Sequence, residues 1–367
     1  MSGNTFSSTL RSIGRKVLPA GTRRALRYAI NPRTKGAATG QTENLKKVVI
    51  LDTWVNDTNL GNKFIMEAVC NELRDLFPHS FIYQVPALEY VRAGRQLIEQ
   101  ADFVFLAGTN LLSSDMNKTS EWRLRLSDIL WMRNVILMGV GWWQYQNFTP
   151  NLYTRILLKG VLSKTYIHSV RDSYTAARVK ALGLKVLNTG CPTLWGLTKE
   201  HCAEIPESKS ENALLTFTEY NQKPSEDRLL FEIVARNYEV VYFWPQMYGD
   251  YHYAKTICGK EVVFIDPSIE ALDDLLRREA VDYVGTRLHA GIRALQHKRR
   301  AIIVGVDNRA IEAAKDFNLP VVNRERVALE LEAKIQSFWK TNISLDQEAI
   351  FAWKNQFLAS NKVEDSA

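Results

Sequence analysis

The 367-residue chain contains only four cysteines, Cys70, Cys191, Cys202 and Cys258, and none belongs to a C-x-x-C pair. This scatter excludes a disulfide framework and a zinc site, and it indicates reduced thiols in a cytosolic protein. The chain also lacks any apolar run near the ~20 residues that a membrane span needs, and it begins without the apolar core of a signal peptide. With 46% hydrophobic and 24% charged residues, its composition is that of a soluble globular protein.

Acidic residues are missing from the start of the chain. The first 40 residues hold eight of the 47 lysines and arginines and no acid, which leaves 39 basic residues against 40 acids in the body. A nucleic-acid-binding protein would carry its basic surface on the folded domain. We therefore expect no nucleic-acid partner.

Residues 1–45 form a basic leader and a linker rich in small and polar residues. Phe6, Leu10, Ile13 and Val17 recur at helical intervals, with basic residues between them. A short basic amphipathic helix of this kind can lie on an anionic membrane surface. A disordered basic leader explains the same residues equally well, and both interpretations stay open here.

From residue 46 onward, apolar runs alternate with amphipathic segments. "KKVVILDTW" is typical of a strand buried on both faces, and "KFIMEAVCNELRDLF" is typical of a helix. The alternation predicts an α/β fold with two Rossmann-like, doubly wound parallel-sheet domains. Loops at the carboxyl ends of both sheets should face a central cleft.

The predicted domain boundaries follow the polar stretches. An N-terminal Rossmann-like domain covers 46–198, a linker covers 199–212, and a C-terminal Rossmann-like domain covers 213–340. Residues 341–367 form a C-terminal helix and tail. Further helices are predicted at "EWRLRLSDILWMR", "SEDRLLFEIVARN" and "SIEALDDLLRRE", and from about Asp346 to Ala359.

The stretch "GTRLHAGIRAL" joins a strand to a helix through a turn that contains Thr286, Arg287 and His289. Thr286 can cap the helix, and the free N–H groups of the first turn favour phosphate or carboxylate. Arg287 adds a forked cation, and His289 can carry a proton near neutral pH. An arginine paired with a nearby aspartate, beside a histidine packed at a helix start, also fits the spacing, and the spacing alone does not decide between the two.

A second turn of this kind is "HSVRDSYTAARVKALG". Asp172 or Ser173 is predicted to cap the helix, while Arg171 faces either the cap or the cleft. His168 lies three residues before Arg171, and it is either a second proton carrier or a core histidine.

Both turns together resemble the polysaccharide pyruvyl transferase family. The similar features are "SVRDSYTAARVKALGL", which fits an S-x-R-D-x-x-T turn and its helix, and "VGTRLHAGIRALQHK", which fits a G-x-R-L-H turn. "NLGNKFIMEAVCNEL" fits the family's first loop and helix, and "ADFVFLAGTNLL" fits a D-x-V-x-x-G-G strand and loop. The resemblance covers about residues 47–325.

The resemblance implies two Rossmann-like halves, similar to the GT-B class of glycosyltransferases, and phosphoenolpyruvate as donor. It places Arg287, Leu288 and His289 in the donor pocket with Arg171 opposite. Arg287, His289 and Arg171 are therefore the predicted catalytic residues, with His289 as general acid or base. The predicted substrate-binding residues are Thr286, Leu288, His168, Ser169, Asn59, Asn62, Gly108, Trp244 and His252.

Several of these residues come from clusters that also have a plain structural explanation. Asn59 and Asn62 belong to the loop "VNDTNLGN", which binds acceptor hydroxyls or simply turns the chain. Trp244 and His252 belong to "FWPQMYGDYHY", a sugar platform or ordinary packing. Two sites depart from the family pattern: "AGTN" replaces the glycine pair at Gly108, and "TGCPTLW" replaces a D-P pair. The acceptor's identity is therefore not carried over.

The resulting hypothesis is a cytoplasmic enzyme, at the inner face of the membrane if its leader binds there. It would move a pyruvyl group from phosphoenolpyruvate to a polysaccharide sugar or a lipid-linked oligosaccharide. We expect no metal and no cofactor, because no metal-binding motif is present. Two alternatives stay open: a GT-B-type glycosyltransferase that uses a nucleotide sugar, and a non-catalytic scaffold in polysaccharide assembly.

Overall fold

The computed structural model describes residues 45–88, 91–118, 121–259 and 261–360. The leader prediction falls on residues 1–44, outside the described residues, so both interpretations of it stay predictions. The domain boundaries likewise stay predictions.

The first half of the described chain forms a parallel sheet around its first strand. The strand order is β2-β1-β3-β5, with β4-β6 and β7-β8 as two further parallel pairs. Hydrogen bonds from Gly139 N to Ser169 O (3.1 Å) and from Arg171 N to Val140 O (3.2 Å) attach β7 to the chain that follows β5. The strands are β1 (Lys47–Asp52), β2 (Phe81–Pro86), β3 (Phe103–Ala107), β4 (Asn110–Leu112), β5 (Val135–Met138), β6 (Gly141–Trp142), β7 (His168–Val170) and β8 (Val186–Asn188).

The second half forms one six-stranded parallel sheet with the order β11-β10-β9-β12-β13-β14. Its strands are β9 (Asn212–Thr216), β10 (Val241–Phe243), β11 (Val263–Phe264), β12 (Val281–Gly285), β13 (Ala301–Gly305) and β14 (Val321–Asn323). Strands β12 and β13 are buried along their whole length, as expected for strands covered by helices on both faces.

The α-helices are α1 (Leu60–Leu76), α2 (Arg95–Glu99), α3 (Leu152–Val161), α4 (Ser173–Ala181), α5 (Lys199–Ala203), α6 (Pro224–Asn237), α7 (Tyr248–Cys258), α8 (Ile269–Arg278), α9 (Leu288–Gln296), α10 (Asn308–Phe317), α11 (Val327–Gln336) and α12 (Gln347–Ser360). Short 3-10 helices cover Val91–Gly94, Leu126–Leu130, Pro192–Leu194, Glu219–Asn221 and Arg324–Arg326. The predicted fold class is confirmed: an α/β chain with two doubly wound parallel sheets.

Each sheet reverses its winding direction at one point. In the second half the reversal lies between β9 and β12, and in the first half it lies between β1 and β3. Loops at such points diverge to opposite faces of the sheet, so they open a crevice at the carboxyl ends of the strands. The topology therefore predicts a ligand-binding crevice beside the loops that follow Asp52, Ala107, Thr216 and Gly285.

One predicted helix is wrong. Residues 121–125, "EWRLR", form a bend followed by irregular chain, and only Leu126–Leu130 of this segment forms a short 3-10 helix. Burial alternates here, with Trp122 and Leu124 buried and their neighbours exposed. This alternation differs from the three- to four-residue period of a helix, although the number of apolar residues in the segment suggested one. The helices predicted at "SEDRLLFEIVARN", at "SIEALDDLLRRE" and after Asp346 are confirmed.

Candidate functional site

Strand β12 ends at Gly285, which has no room for a side chain. A Cβ there would lie 2.5 Å from Thr216 Oγ1 and 2.7 Å from Thr216 N. Glycine thus lets the ends of β9 and β12 approach at the reversal point of the sheet. The next residues, Thr286 and Arg287, form the turn into α9.

Arg287 is buried and paired with a carboxylate. Its Nε donates to Asp250 Oδ2 at 2.9 Å and to Phe217 O at 3.1 Å, and its Nη2 donates to Asp250 Oδ1. The Tyr220 ring lies 5.0 Å from the guanidinium. Nη1 is buried and has no hydrogen-bond partner among the described residues. Arg287 is thus paired with an aspartate, as one of the two interpretations of the sequence expected. Its Nη1 group stays available as a hydrogen-bond donor.

The prediction that Thr286 caps α9 is wrong. The N-cap position belongs to Arg287, and no side chain of the described residues caps the free N–H groups of the first turn. Thr286 instead donates from Oγ1 to Thr216 O at 3.5 Å, a long contact. The helix begins one residue later than predicted because Arg287, with φ −91° and ψ 102°, is still extended. Leu288 is 6% exposed and belongs to the hydrophobic core.

His289 occupies the second position of α9 and is 4% exposed. Its Nε2 lies 3.9 Å from the sulfur of Cys191, which also accepts a hydrogen bond from Thr193 Oγ1 at 3.1 Å. Burial, and then the positive charges of Arg171 and Arg309, lower the pKa of His289 well below its usual value. The imidazole is therefore neutral at neutral pH.

Arg309 is a site residue that the sequence reasoning missed. It follows β13 in "VGVDNRA", and its Nε donates to Asp307 Oδ2 at 3.0 Å, while its Nη2 donates to the Tyr220 hydroxyl. Burial lowers the pKa of Arg309, but Asp307 and Tyr220 raise it further, so the net shift is upward. The signal was present in the sequence, because Arg309 follows a buried strand as Arg287 does.

Arg171 reaches the site from the first half. Its side chain is buried, and its Nη1 donates to Asn110 Oδ1 at 3.2 Å. Among the described residues it makes no ion pair. Asn110 in turn donates to Asn308 Oδ1 at 3.2 Å, and Asn308 donates to Trp142 O at 3.2 Å. This row of amides joins Arg171 to α10 of the second half.

The histidine and serine of the same turn lie elsewhere. The ring of His168 is fully buried, accepts from Leu137 N through Nδ1 at 3.1 Å, and donates from Nε2 to Ser163 O at 2.9 Å. The hydroxyl of Ser169 bonds to Gly139 N at 2.9 Å and to Thr189 Oγ1 at 2.6 Å. Their role in substrate binding stays a prediction, and both placements favour a structural role. Asp172 caps α4 by accepting from Thr175 N at 2.6 Å, as predicted.

The first loop contacts the second half. Asn59 Oδ1 accepts from Gly61 N at 3.0 Å, which caps α1, and from Gln246 Nε2 at 2.7 Å. Asn62 donates to Asp57 within the loop. These bonds turn the chain and bridge the halves, while a role with acceptor hydroxyls stays a prediction.

Gly108 lies at the end of β3 with φ +51°. A Cβ there would lie 2.0 Å from Ile65 Cγ2, so α1 packs directly on the glycine backbone. The loop's conformation and its close approach to α1 both require glycine. This explains the residue type at Gly108 without a ligand.

The aromatic cluster after β10 divides into buried and exposed parts. Trp244 is fully buried, packs 6.0 Å from the Phe64 ring, and donates to Ser268 O at 3.1 Å. His252 is exposed beside Tyr248 and Tyr251, with ring centroids 4.7 and 5.4 Å away. Trp244 is therefore a packing residue of the core. That His252 forms part of a sugar-binding platform stays a prediction.

The charges of the site are unequal. Asp250 pairs with Arg287 and Asp307 pairs with Arg309, whereas Arg171, among the described residues, hydrogen-bonds to the neutral amide of Asn110 and makes no ion pair. Asp172 and Asp307 act on Arg171 only through their charges, and the start of α9 is uncapped. A buried cation without an ion-paired carboxylate is unfavourable, so this arrangement suits an anionic ligand. Within the described part of the chain, no group of three or more histidines, cysteines or acids could hold a metal ion.

The family model for polysaccharide pyruvyl transferase matches residues 59–308, about two thirds of the chain. The chain belongs to this family. The match includes α1, the Arg171 turn and the Arg287 turn, and it ends one residue before Arg309. Membership makes the protein a transferase of the polysaccharide pyruvyl transferase type.

Comparison with solved structures finds the wall teichoic acid polymerase TagF. A point variant of TagF aligns with a TM-score of 0.40 at 13% identity, covering 96% of this chain and all of its own. A second TagF structure aligns with a TM-score of 0.37 at 15% identity, covering 99% and 96%. Values this low do not establish a shared activity. A comparison with curated proteins gives no match.

The structure unites part of the residue set predicted for this pyruvyl transferase family member. The charge of Arg171, from the first half, acts on His289 of the second half, and the guanidinium of Arg287 lies against the Tyr220 ring. Among the described residues, no helix has the length and apolar character needed to cross a membrane.

Proposed function

We propose that this chain transfers the pyruvyl group of phosphoenolpyruvate to two hydroxyls of one sugar, forming a ketal and releasing phosphate. The observation that carries the proposal is Arg171. It is a buried cation without a carboxylate partner among the described residues, and it lies close enough to His289 to lower the pKa of that imidazole. Phosphoenolpyruvate supplies the missing negative charge through its carboxylate and its phosphate.

The donor would lie between the two halves. Arg171 binds it from the first half and Arg309 binds it from the second, since forked guanidinium groups match both carboxylate and phosphate. The free N–H groups at the start of α9 add partial positive charge on the same side. Asp307, Asp250 and Tyr220 hold the arginines in place and do not contact the donor.

His289 supplies and removes the protons. In the free protein its pKa is lowered by burial and by two arginines. A bound donor with two or three negative charges offsets those arginines, so donor binding raises the pKa of His289 and charges the ring. The imidazolium then lies ready to protonate the methylene carbon of the donor.

The methylene carbon takes the proton of His289 and becomes a methyl group, which leaves an oxocarbenium-like centre at the neighbouring carbon. The first sugar hydroxyl adds to that carbon and returns its proton to His289. The second hydroxyl adds as the C–O bond to phosphate breaks, and its proton leaves with the phosphate. Fixed cations stabilise the departing phosphate.

The acceptor in this proposal is a polysaccharide sugar or its lipid-linked precursor. It would approach from the first half, where Asn59, Gly108 and Asn110 end or follow strands at the seam. The protein would act in the cytoplasm at the inner face of the membrane, where the basic leader meets anionic lipid. The proposal needs no cofactor and no nucleic-acid partner.

Calorimetric titration with phosphoenolpyruvate tests this function, with a panel of nucleotide sugars in parallel. The variant is Arg171→Gln, which removes the unpaired cation. The control is Arg236→Gln, which removes an exposed arginine paired with Glu332. We expect saturable phosphoenolpyruvate binding by the wild type and the control, weakened about 10- to 100-fold by Arg171→Gln, because a charged hydrogen bond is lost.

Other outcomes of this titration would contradict the proposed function or the role of Arg171. A nucleotide sugar that binds where phosphoenolpyruvate does not would overturn the proposal in favour of a glycosyltransferase. Binding of neither donor, with or without a saccharide acceptor, would favour the scaffold. Equal phosphoenolpyruvate affinity in the wild type and Arg171→Gln would remove Arg171 from the donor site.

A further inference from the structure

Four large apolar side chains are exposed side by side on the first half. Leu126 and Leu130 belong to the 3-10 helix Leu126–Leu130, and Leu152 and Ile156 belong to α3. Leu130 is 76% exposed and Leu152 is 72% exposed. These four residues are called the apolar patch below.

The two elements pack against each other, which makes the apolar patch continuous. Ile129 lies against Gly160, where a Cβ would come within 2.7 Å of the isoleucine side chain. Leu152, Ile156 and Gly160 are spaced by four residues along α3, so they follow one stripe of the helix. The stripe therefore leads from Leu152 to Ile129, which Leu126 and Leu130 flank.

Positive charge surrounds the apolar patch. Arg125 and Arg133 flank the 3-10 helix, and Arg155 and Lys159 lie on α3; all four are exposed. None of them makes an ion pair with another described residue. Residues 118–164 contain seven basic residues and only two acids, Glu121 and Asp128. Asp128 is buried and paired with Arg92 at 2.8 Å, so it does not neutralise the rim.

A basic pocket adjoins the same surface. It has a volume of about 350 Å³, and its lining includes Lys118, Arg123, Arg125 and Tyr153. Tyr153 belongs to α3, and its hydroxyl donates to Leu124 O at 3.3 Å, which joins the pocket to the apolar patch. Lys118 pairs with Asp115 at 3.7 Å, so the charge that this pocket offers to a phosphate headgroup comes from its two arginines.

We propose that the apolar patch and its basic rim dock this protein on an anionic membrane surface. Exposed leucines and an isoleucine, beside three arginines and a lysine that make no ion pair with another described residue, are the combination that binds the interface of a bilayer. The occupant is an anionic bilayer, with lipid phosphates in the basic pocket. The basic leader is a less favourable occupant of the apolar patch, because its positive charges would lie beside the positively charged rim.

Docking there would bring the candidate site to the membrane. Helix α3 begins beside the carboxyl ends of the strands, where Asn151 N donates to Ser114 O at 3.0 Å. Ser114 follows β4, whose first residue, Asn110, contacts Arg171. A lipid-carried acceptor would therefore lie against the half of the chain that carries Arg171, a consequence that rests on the proposed function; the docking itself does not.

Vesicle sedimentation of the full chain tests the docking. The vesicles are phosphatidylcholine alone and phosphatidylcholine with phosphatidylglycerol at about 7:3, since the anionic lipid supplies the surface potential. The variant is Leu130→Glu with Leu152→Glu. The matched control is Leu329→Glu on α11, because Leu329 is 79% exposed in the other half.

We expect the wild type and Leu329→Glu to sediment with the anionic vesicles only. The double variant should bind at least about tenfold more weakly, because two apolar anchors become acids. A second variant, Arg155→Gln with Lys159→Gln, should weaken binding about fivefold for each charge removed. Unchanged thermal unfolding of these variants shows that the fold is intact.

Three results would overturn the docking proposal. One is a wild type that sediments with neither vesicle. Another is a double variant that binds like the wild type while Arg11→Gln, Arg15→Gln, Lys16→Gln abolishes binding, which would assign the membrane contact to the leader. The third is a double variant that only converts a dimer to a monomer. Phosphoenolpyruvate titration of the same proteins reports on the proposed function independently of these outcomes.

Discussion

At the scale of single residues, the site depends on unequal charge compensation. Arg287 and Arg309 each have an aspartate, while Arg171 has only an amide partner among the described residues. His289 responds to this imbalance, since its pKa is lowered by burial and by Arg171 and Arg309. The pKa of His289 should therefore change when the charges around it are changed.

Cys191 offers a direct way to alter the pKa of His289. The Cys191→Asp variant would place a carboxylate near Nε2, where the sulfur now lies 3.9 Å away. We expect the pKa of His289 to rise towards or above its ordinary value, because an opposite charge favours the imidazolium. Titration of the His289 ring protons by NMR measures the change.

The matched control is Cys191→Asn, which has a similar shape and no charge. It should leave the pKa of His289 low. Equal titration curves for the two variants would mean that the residue at position 191 does not interact electrostatically with His289.

His168 predicts an acid-dependent loss of stability. Burial lowers its pKa to about 4, from 6.5, against a smaller upward contribution of its bond to Ser163. The unfolded chain therefore binds a proton that the folded chain rejects, and stability falls as pH drops from 6.5 to 4. The loss from this residue is about 1.4 kcal/mol per pH unit in that window.

Denaturant titrations of the wild type and His168→Asn at pH 7 and pH 5 measure this contribution. The variant should be less stable at pH 7, where it lacks one of the two ring hydrogen bonds. The difference between the two proteins should shrink at pH 5. A difference that stays constant would show that His168 titrates normally in the folded chain.

At the scale of elements, turns and helix ends place the side chains. Gly285 lets β9 and β12 approach, Arg287 begins α9, and Asp172 caps α4. Each of these positions lies where a strand ends and the chain reverses towards a helix. The backbone of these turns therefore positions the catalytic groups of our proposal, and the residue types at the turns favour that backbone conformation.

Gly108 is the most constrained of these positions. Gly108→Ala would put a Cβ 2.0 Å from Ile65 Cγ2 and force a non-glycine residue to φ +51°. We expect a loss of about 2–4 kcal/mol in the free energy of unfolding, from overpacking and backbone strain together. Urea unfolding measures it.

Gly196→Ala is the control, because no atom lies within 4 Å of a Cβ at that position. In an Ile65→Ala background the cost of Gly108→Ala should fall, since the clashing methyl is gone. An unchanged cost in that background would attribute the loss to the backbone alone.

At the scale of the whole molecule, the C-terminal helix returns to the first half. The ring centroid of Phe357 lies 5.9 Å from that of Phe77, 5.7 Å from that of Phe103 and 5.3 Å from that of Phe105. Trp353 packs 5.9 Å from Trp195, and Lys354 pairs with Glu72. The last element of the chain thus completes the core of its first sheet.

This crossing predicts that Phe357→Ala destabilises the protein by about 3–5 kcal/mol, because it opens a cavity in a shared aromatic core. Phe351→Ala on the same helix is the control, since Phe351 is 65% exposed. Thermal and denaturant unfolding compare the two. If Phe357→Ala cost no more than Phe351→Ala, the helix would not be needed for the first half.

Much of the molecule followed from local pattern. Continuous apolar runs predicted buried parallel strands, and the helices after β9, β11 and residue 346 were found where their periodicity placed them. The failure at 121–125 has a local cause, because buried Trp122 and Leu124 alternate with exposed residues, which is not the burial period of a helix. Arg309 was not predicted as a site residue although it follows a buried strand, as Arg287 does.

The sequence by itself determined the α/β class, the two sheets, the turns that carry Arg171 and Arg287, and the family. These depend on residue periodicity and on residue types that a local backbone conformation requires. The tertiary structure alone decided which charges remain uncompensated. Asp250 reaches Arg287 and Asp307 reaches Arg309, while Arg171 meets an amide. Pairing between groups distant in sequence depends on how the two sheets approach each other, which no local pattern encodes.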